Sequence, residues 1–333
     1  MTVSANWHYR SRIKAQDNST KFIAMRASTS SELLYQSLFP RLWSGERLHL
    51  LRICTDTPGP PVLMLHGAVG NGRIFYTRRG DRLAPFLASR GFDVFVADFR
   101  GRGHSTPHIF PGANWTQLDM IREDIALFRW QIRSLRGNVR QHWLAHSWGG
   151  VLMMSHLLRF PAQRADVASL TLFGSKRCIR VHNWHKFLQV SLAWEQFGRL
   201  ATKLHGYLPG PRYHFGSDDE TTFSYEACRG WARPSRWIDP DDGFDYQRAA
   251  ESVDLPPSLW FAAANDYCLG HPLDVRDFMM ECGQPHAPFR LLGRRHGHRM
   301  DYDHVSMLTH PNANDDHFPE VCAWLNAHTA KQA

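Results

Sequence analysis

Six consecutive residues, Ala145-His146-Ser147-Trp148-Gly149-Gly150, place a serine between an apolar stretch and a helix-forming one. Gln141-His142-Trp143-Leu144 reads as a short buried strand, and Val151-Leu152-Met153-Met154 with Leu157 and Leu158 reads as the helix that leaves the turn. Ser147 would then stand exposed on a sharp, strained corner at a strand's carboxyl end, the layout of a nucleophile elbow. Such a corner needs small residues two before and two after the serine, or strand and helix collide. Ala145 and Gly149 meet that need, with alanine standing where the G-x-S-x-G pattern has its first glycine.

A serine hydroxyl is a poor nucleophile at neutral pH, so it needs a histidine to take its proton and an acid to orient that histidine. Both are expected downstream, the acid after a strand and the histidine near the end of the chain. The apolar run Leu259-Trp260-Phe261-Ala262-Ala263-Ala264 ends in Asn265-Asp266, and Gly270-His271-Pro272 opens the next helix, which favours Asp266 as the acid. Asp274 is the weaker candidate, because it falls in that helix's first turn, where a carboxylate serves the helix itself. Four histidines compete for the base. His304, in Tyr302-Asp303-His304-Val305-Ser306-Met307-Leu308 between the last strand and the closing helix, is favoured. His298 and His296 come directly off that strand, and His310 follows. Negative charge developing on a carbonyl oxygen needs two backbone N–H groups. Trp148 would supply one, and Ala68 the other, once Gly67 turns the chain after the strand Pro61-Val62-Leu63-Met64-Leu65. His66 reads as an anchor of that loop.

Positioning these groups takes a sheet. Strands are expected at Leu48 to Cys54, Val62 to Leu65, Asp93 to Ala97, His142 to Leu144, Leu170 to Phe173, Leu259 to Ala262 and Phe289 to Leu292. Helices are expected from Arg82 to Ser89, Leu118 to Leu135, Trp148 to Arg159, Leu273 to Cys282 and Phe318 to Ala327. The alternation implies an α/β fold with a mostly parallel sheet and helices on both faces. Residues 1–30 are polar and aperiodic, and read as a loosely held arm. Residues 175–254 show no strand-like alternation and carry many aromatics, among them Trp184, Trp194, Phe197, Tyr225, Trp231, Trp237 and Tyr246. An insertion there would lie over the strands' carboxyl ends as a cap, or lid, on a core made of residues 31–174 and 255–333. Most of its aromatics are expected to fill the cap's own core, and a few to face the serine and shape an apolar acyl pocket.

Composition narrows the classes further. The chain has 333 residues, 43% hydrophobic and 21% charged, as expected for a globular domain with an insertion. No apolar run is long enough for a signal sequence or a membrane span, so the expectation is a cytoplasmic protein without stable membrane insertion. The six cysteines are scattered and read as isolated thiols. His296, His298, His304 and His310 lack the helical spacing that gathers imidazoles on one ion, so neither a metal nor a cofactor is expected. The net charge of +8 is spread along the chain, and its short concentrations, Arg100 with Arg102 and Arg294 with Arg295, fall in loops. A solvated basic surface is expected rather than a nucleic-acid partner.

Together these residues resemble the α/β-hydrolase superfamily: His66-Gly67, Asp98-Phe99-Arg100-Gly101-Arg102-Gly103-His104-Ser105, the Ser147 elbow, Asp266, and His304 before a terminal helix. The likeness runs from about Leu48 to Leu325. The segment around His304 is similar to the G-H-x-D histidine loop of lipases and polyester-synthase-like members, with Asp303 in place of the glycine and Ser306 in place of the aspartate. Polyester synthases carry cysteine at the elbow, and haloalkane dehalogenases and epoxide hydrolases carry aspartate, so the serine here implies a serine hydrolase. The substrate expected is a small hydrophobic carboxylic ester. An acyltransferase would use the same triad, and a non-catalytic ligand-binding relative would be marked by loss of the serine, the acid or the histidine.

Overall fold

The computed structural model describes residues 22–25, 33–77 and 79–329. Among the described residues, nine strands form one sheet in the order β1-β2-β3-β5-β4-β6-β7-β10-β11. They are β1 (Phe22–Met25), β2 (Leu33–Leu38), β3 (His49–Cys54), β4 (Pro61–Leu65), β5 (Asp93–Asp98), β6 (Gln141–His146), β7 (Val167–Phe173), β10 (Ser258–Ala263) and β11 (Phe289–Leu292). Strands β1 to β3 and the β3–β5 pair are antiparallel, and every pairing from β5 to β11 is parallel. Two short strands, β8 (Tyr207–Leu208) and β9 (Glu220–Thr221), pair apart from it. The helices are α1 (Leu83–Ala88), α2 (residues 117–136), α3 (Trp148–Arg159), α4 (residues 184–205), α5 (Thr222–Trp231), α6 (Tyr246–Ala250), α7 (Pro272–Glu281), α8 (Ser306–Thr309) and α9 (Phe318–His328). Within α2 and α4 the backbone widens to π-helical turns at Met120–Asp124 and Phe187–Gly198.

The central strands are apolar throughout because both faces are covered. Side chains alternate between the two: Leu63, Leu65, Phe95 and Trp143 pack with α2 and α3, whereas Val62, Met64, Val94 and Leu144 pack with α1 and α9. Register fixes where the chemistry can be. Leu65 lies opposite both Ala97 and Ala145, and Phe173 lies opposite both His146 and Phe261. The strands therefore end level, and the loops after β4, β5, β6, β7 and β10 leave along one edge.

All seven strands read from the sequence are present, β7 starting earlier, at Val167. The arm is a correction: Phe22–Met25 pairs with β2, so part of it extends the sheet, while the rest of residues 1–30 falls outside the described residues. The aromatics between β7 and β10 are a second correction. Trp231, Trp237 and Tyr246 join the main core against Trp260 and Phe278, leaving only a small separate cluster around Tyr225. Trp184, Phe187 and Phe197 on α4 are exposed, as are Leu188, Leu192, Leu200 and Leu204 on the same helix. The basic loops are a third. Arg294 and Arg295 are solvated, but Arg100 and Arg102 are buried. Arg100 is held by Asp124 at 2.6 Å and Glu123 at 2.7 Å, and Arg102 by Glu220.

Candidate active site

Ser147 sits between β6 and α3 with φ 54° and ψ −126°, a conformation that side-chain-bearing residues rarely adopt. Its amide donates to the Phe173 carbonyl at 2.8 Å, which fastens the corner to the end of β7. The small residues around it are required by contact. A Cβ on Gly149 would lie 2.3 Å from the His66 carbonyl oxygen, and one on Gly67 would lie 2.9 Å from the Ser147 Cβ. The corner can therefore press against the loop after β4 only because both positions lack side chains.

His304 and Asp266, from opposite sides of β11 in sequence, meet at 2.6 Å between Nδ1 and Oδ2. Both are buried. Burial works to raise the Asp266 pKa, but the His304 imidazole and the amides of Gly270 and Cys268 outweigh it and hold the carboxyl at about 2. Asp266 is thus a fixed anion that accepts the Nδ1 proton and leaves Nε2 of His304 to accept another. A Cβ on Gly174 would stand 3.0 Å from His304 Nδ1, and Gly174 directly follows the residue that holds the Ser147 amide. The serine corner and the histidine are therefore neighbours across one glycine. Among the described residues the Ser147 hydroxyl has no hydrogen-bond partner, a looseness common before substrate arrives.

The other candidates are engaged elsewhere. His298 Nδ1 lies 3.0 Å from Asp316, His296 is exposed, and His310 accepts the Asn312 amide at 3.2 Å. Asp274 accepts the Arg180 amide at 2.9 Å at the start of α7, and burial raises its pKa.

Ala68 and Trp148 follow Gly67 and Ser147 respectively, and neither amide has a partner among the described residues. His66 holds this loop in place: Nδ1–H donates to the Gly67 carbonyl at 2.8 Å, and Nε2 accepts the Phe99 amide at 3.2 Å. That pair of bonds requires the neutral ring, in keeping with the downward shift that burial imposes on it.

Sequence reasoning missed three features that border these residues. His146 donates from Nε2 to the His304 carbonyl at 2.8 Å, and burial together with His304 pushes it down to about 3, so it stays neutral beside the His304–Asp266 pair. Its place just before Ser147 is the signal that was there to be used. Lys176 is buried with its ammonium 5.8 Å from the Trp148 ring. The Arg102–Glu220 ion pair borders a cleft beside Ala68 and Trp148, walled also by Phe99, Met120 and Leu152. That cleft has room for about one water.

The sequence pattern of the alpha/beta hydrolase fold family matches residues 60–268. A proline iminopeptidase from Xylella fastidiosa is 26% identical over 129 residues, 37% of this chain and 36% of that protein. A serine hydrolase-like protein from Homo sapiens is 36% identical over 106 residues, 31% of this chain and 45% of that protein. The chain thus spans less than half the length of these curated relatives. An esterase from Pyrococcus furiosus superposes with a TM-score of 0.54 at 15% identity, covering 89% of this chain and 91% of that one. A thermophilic esterase from Thermogutta terrifontis gives 0.55 at 18% identity, covering 89% and 99%. At such identities the likeness is one of fold.

Proposed function

Because the chain belongs to the alpha/beta hydrolase fold family, we propose that it is a serine hydrolase cleaving carboxylic esters of hydrophobic acyl chains through an acyl-serine intermediate. The observation that carries this reading is the ionised Asp266 bonded to His304 at 2.6 Å beside a serine held at positive φ. Ser147 Oγ attacks the carbonyl carbon while its proton passes to His304 Nε2, and Asp266 stabilises the imidazolium. The amides of Ala68 and Trp148 donate to the oxyanion. As the intermediate collapses, His304 returns the proton to the departing alcohol, and water then repeats the sequence on the acyl-serine to release the acid.

Support for an apolar acyl group comes from Phe99, Met120 and Leu152 in the cleft and from the exposed apolar side chains along α4. The segment between β7 and β10 acts as the cap in this reading. Its Glu220 and Asp218 reach Arg102 and the Gly103 amide on the loop after β5. A cleft that holds about one water admits an acyl chain only when that segment moves away.

The test is labelling with a fluorophosphonate on wild type and Ser147→Ala, alongside p-nitrophenyl esters of rising chain length and a prolyl anilide. Labelling lost in the variant, with turnover greatest on medium or long esters, is the expected result. Preference for the anilide would replace the ester reading with a peptidase one. A folded wild type that neither labels nor turns over would remove the catalytic reading.

A further inference from the structure

Away from Ser147, the loop after β11 and the start of α9 bring together His298, Asp316 and His317, whose donor atoms lie within 4.8 Å of one another. His317 is 1% exposed. Its Nε2–H donates to the Met307 carbonyl at 2.7 Å, which leaves the lone pair on Nδ1, and that atom has no partner among the described residues. Leaving a buried acceptor unpaired is costly, so such an atom calls for an explanation. A ring with one nitrogen fixed by a carbonyl and the other left bare is how imidazoles are oriented toward metals.

The other two groups are held as strictly. Asp316 accepts the Arg299 amide and the Tyr302 hydroxyl on Oδ2, each at 2.9 Å, leaving Oδ1 to face His298 Nδ1 at 3.0 Å. That last distance is a hydrogen bond when Nδ1 carries the proton. It is equally the edge of a coordination tetrahedron with bonds of about 2 Å when the proton sits on Nε2. The change of tautomer needs no oxidant or reductant, only exchange of a proton with solvent, to which half-buried His298 has access.

We propose that His298, Asp316 and His317 form a binding site for a divalent zinc-class cation, with its remaining position open to water. Two imidazoles and one carboxylate suit Zn²⁺ and its spectroscopic substitute Co²⁺ better than Mg²⁺ or Ca²⁺, which take mainly oxygen ligands. Bound there, the ion would tie the loop that leads to His304 to the final helix, a structural rather than catalytic place for it.

The experiment titrates Co²⁺, then Zn²⁺ against a chromophoric chelator, into the metal-stripped full chain at neutral pH. Expected is one ion per chain, with a visible Co²⁺ absorption of low-symmetry type and a melting temperature that rises with metal. His298→Ala, at a partly exposed position, should weaken binding by at least about tenfold and remove most of the metal-dependent rise in melting temperature, each variant being compared with its own metal-free chain because the Asp316 hydrogen bond is lost as well. His317→Gln is the second variant and should behave likewise. Failure of wild type to take up the ion at micromolar concentration overturns the proposal. So does unchanged uptake in both variants, which would place the ion among other histidines.

Discussion

Replacing Asp266 by asparagine keeps the shape of the side chain and removes its charge. The carboxyl's pKa falls from 3.8 to about 2, which at about 1.4 kcal/mol per unit is on the order of 2–3 kcal/mol in favour of the charged form. Burial opposes that shift, so the pairing with His304 and the two amides must exceed it. Asparagine also loses the acceptor that fixes the proton on Nδ1 of His304. Nothing then prevents the tautomer with the proton on Nε2, which cannot take a proton from Ser147. Loss of this orientation in a triad is worth about 10⁴ in kcat, or about 5.5 kcal/mol of barrier. The assay is kcat on the best ester together with the rate of fluorophosphonate labelling, with melting curves to exclude unfolding. Asp274→Asn serves as the comparison and should change kcat less than about threefold, since that carboxylate serves a backbone amide and not an imidazole. A folded Asp266→Asn enzyme within tenfold of wild type would refute the assignment. The sign of the pH effect follows from the depressed pKa: this stabilisation is present above about 4 and is lost as pH falls through about 2.

Other expectations concern stability. Gly149→Ala drives a Cβ to 2.3 Å from the His66 carbonyl oxygen, and should lower stability by at least about 3 kcal/mol, or roughly 4 °C in melting temperature for a chain of 333 residues. A variant melting within 2 °C of wild type would contradict the contact. Arg102→Met strands the buried Glu220 charge and should cost about 3–5 kcal/mol, whereas Arg102→Met with Glu220→Leu should recover most of it, as melting curves on the cycle would report. Burial holds His142 and His156 down to about 4 and His146 to about 3. Their neutral forms stabilise the fold fully above about 6.5, and that stability fades as pH falls toward 4, by on the order of 1 kcal/mol per histidine one unit below 6.5. Melts across this range should show the decline, and His142→Gln should flatten it. A pH-independent melting temperature would sink the idea.

The elbow could be read from residues alone because its demands are local: Ala145, Ser147 and Gly149 satisfy a steric rule that spans five positions. Asp266 was legible because a buried strand must end before a charge appears. The choice among His296, His298, His304 and His310 is tertiary, and only the placement of Asp266 and Asp316 separates them. β2 escaped notice because Leu-Leu-Tyr-Gln-Ser-Leu is half-buried, antiparallel and without clean alternation. Arg100 and Arg102 read as solvated because their partners Asp124 and Glu220 lie far along the chain, and nothing nearby signals a buried ion pair.

β1 has a consequence for how the protein can be handled. Its four residues cover the outer side of β2, donating and accepting along a strand that otherwise ends the sheet. A shortened chain starting after residue 32 would present β2 as an open ladder of unpaired amides and carbonyls, a template on which another molecule's strand can add. Such a chain should keep whatever activity Ser147 supports, since β6 lies four strands from β2 across the sheet order, yet self-associate with rising concentration. Solubility and catalysis would then be separable by trimming one end.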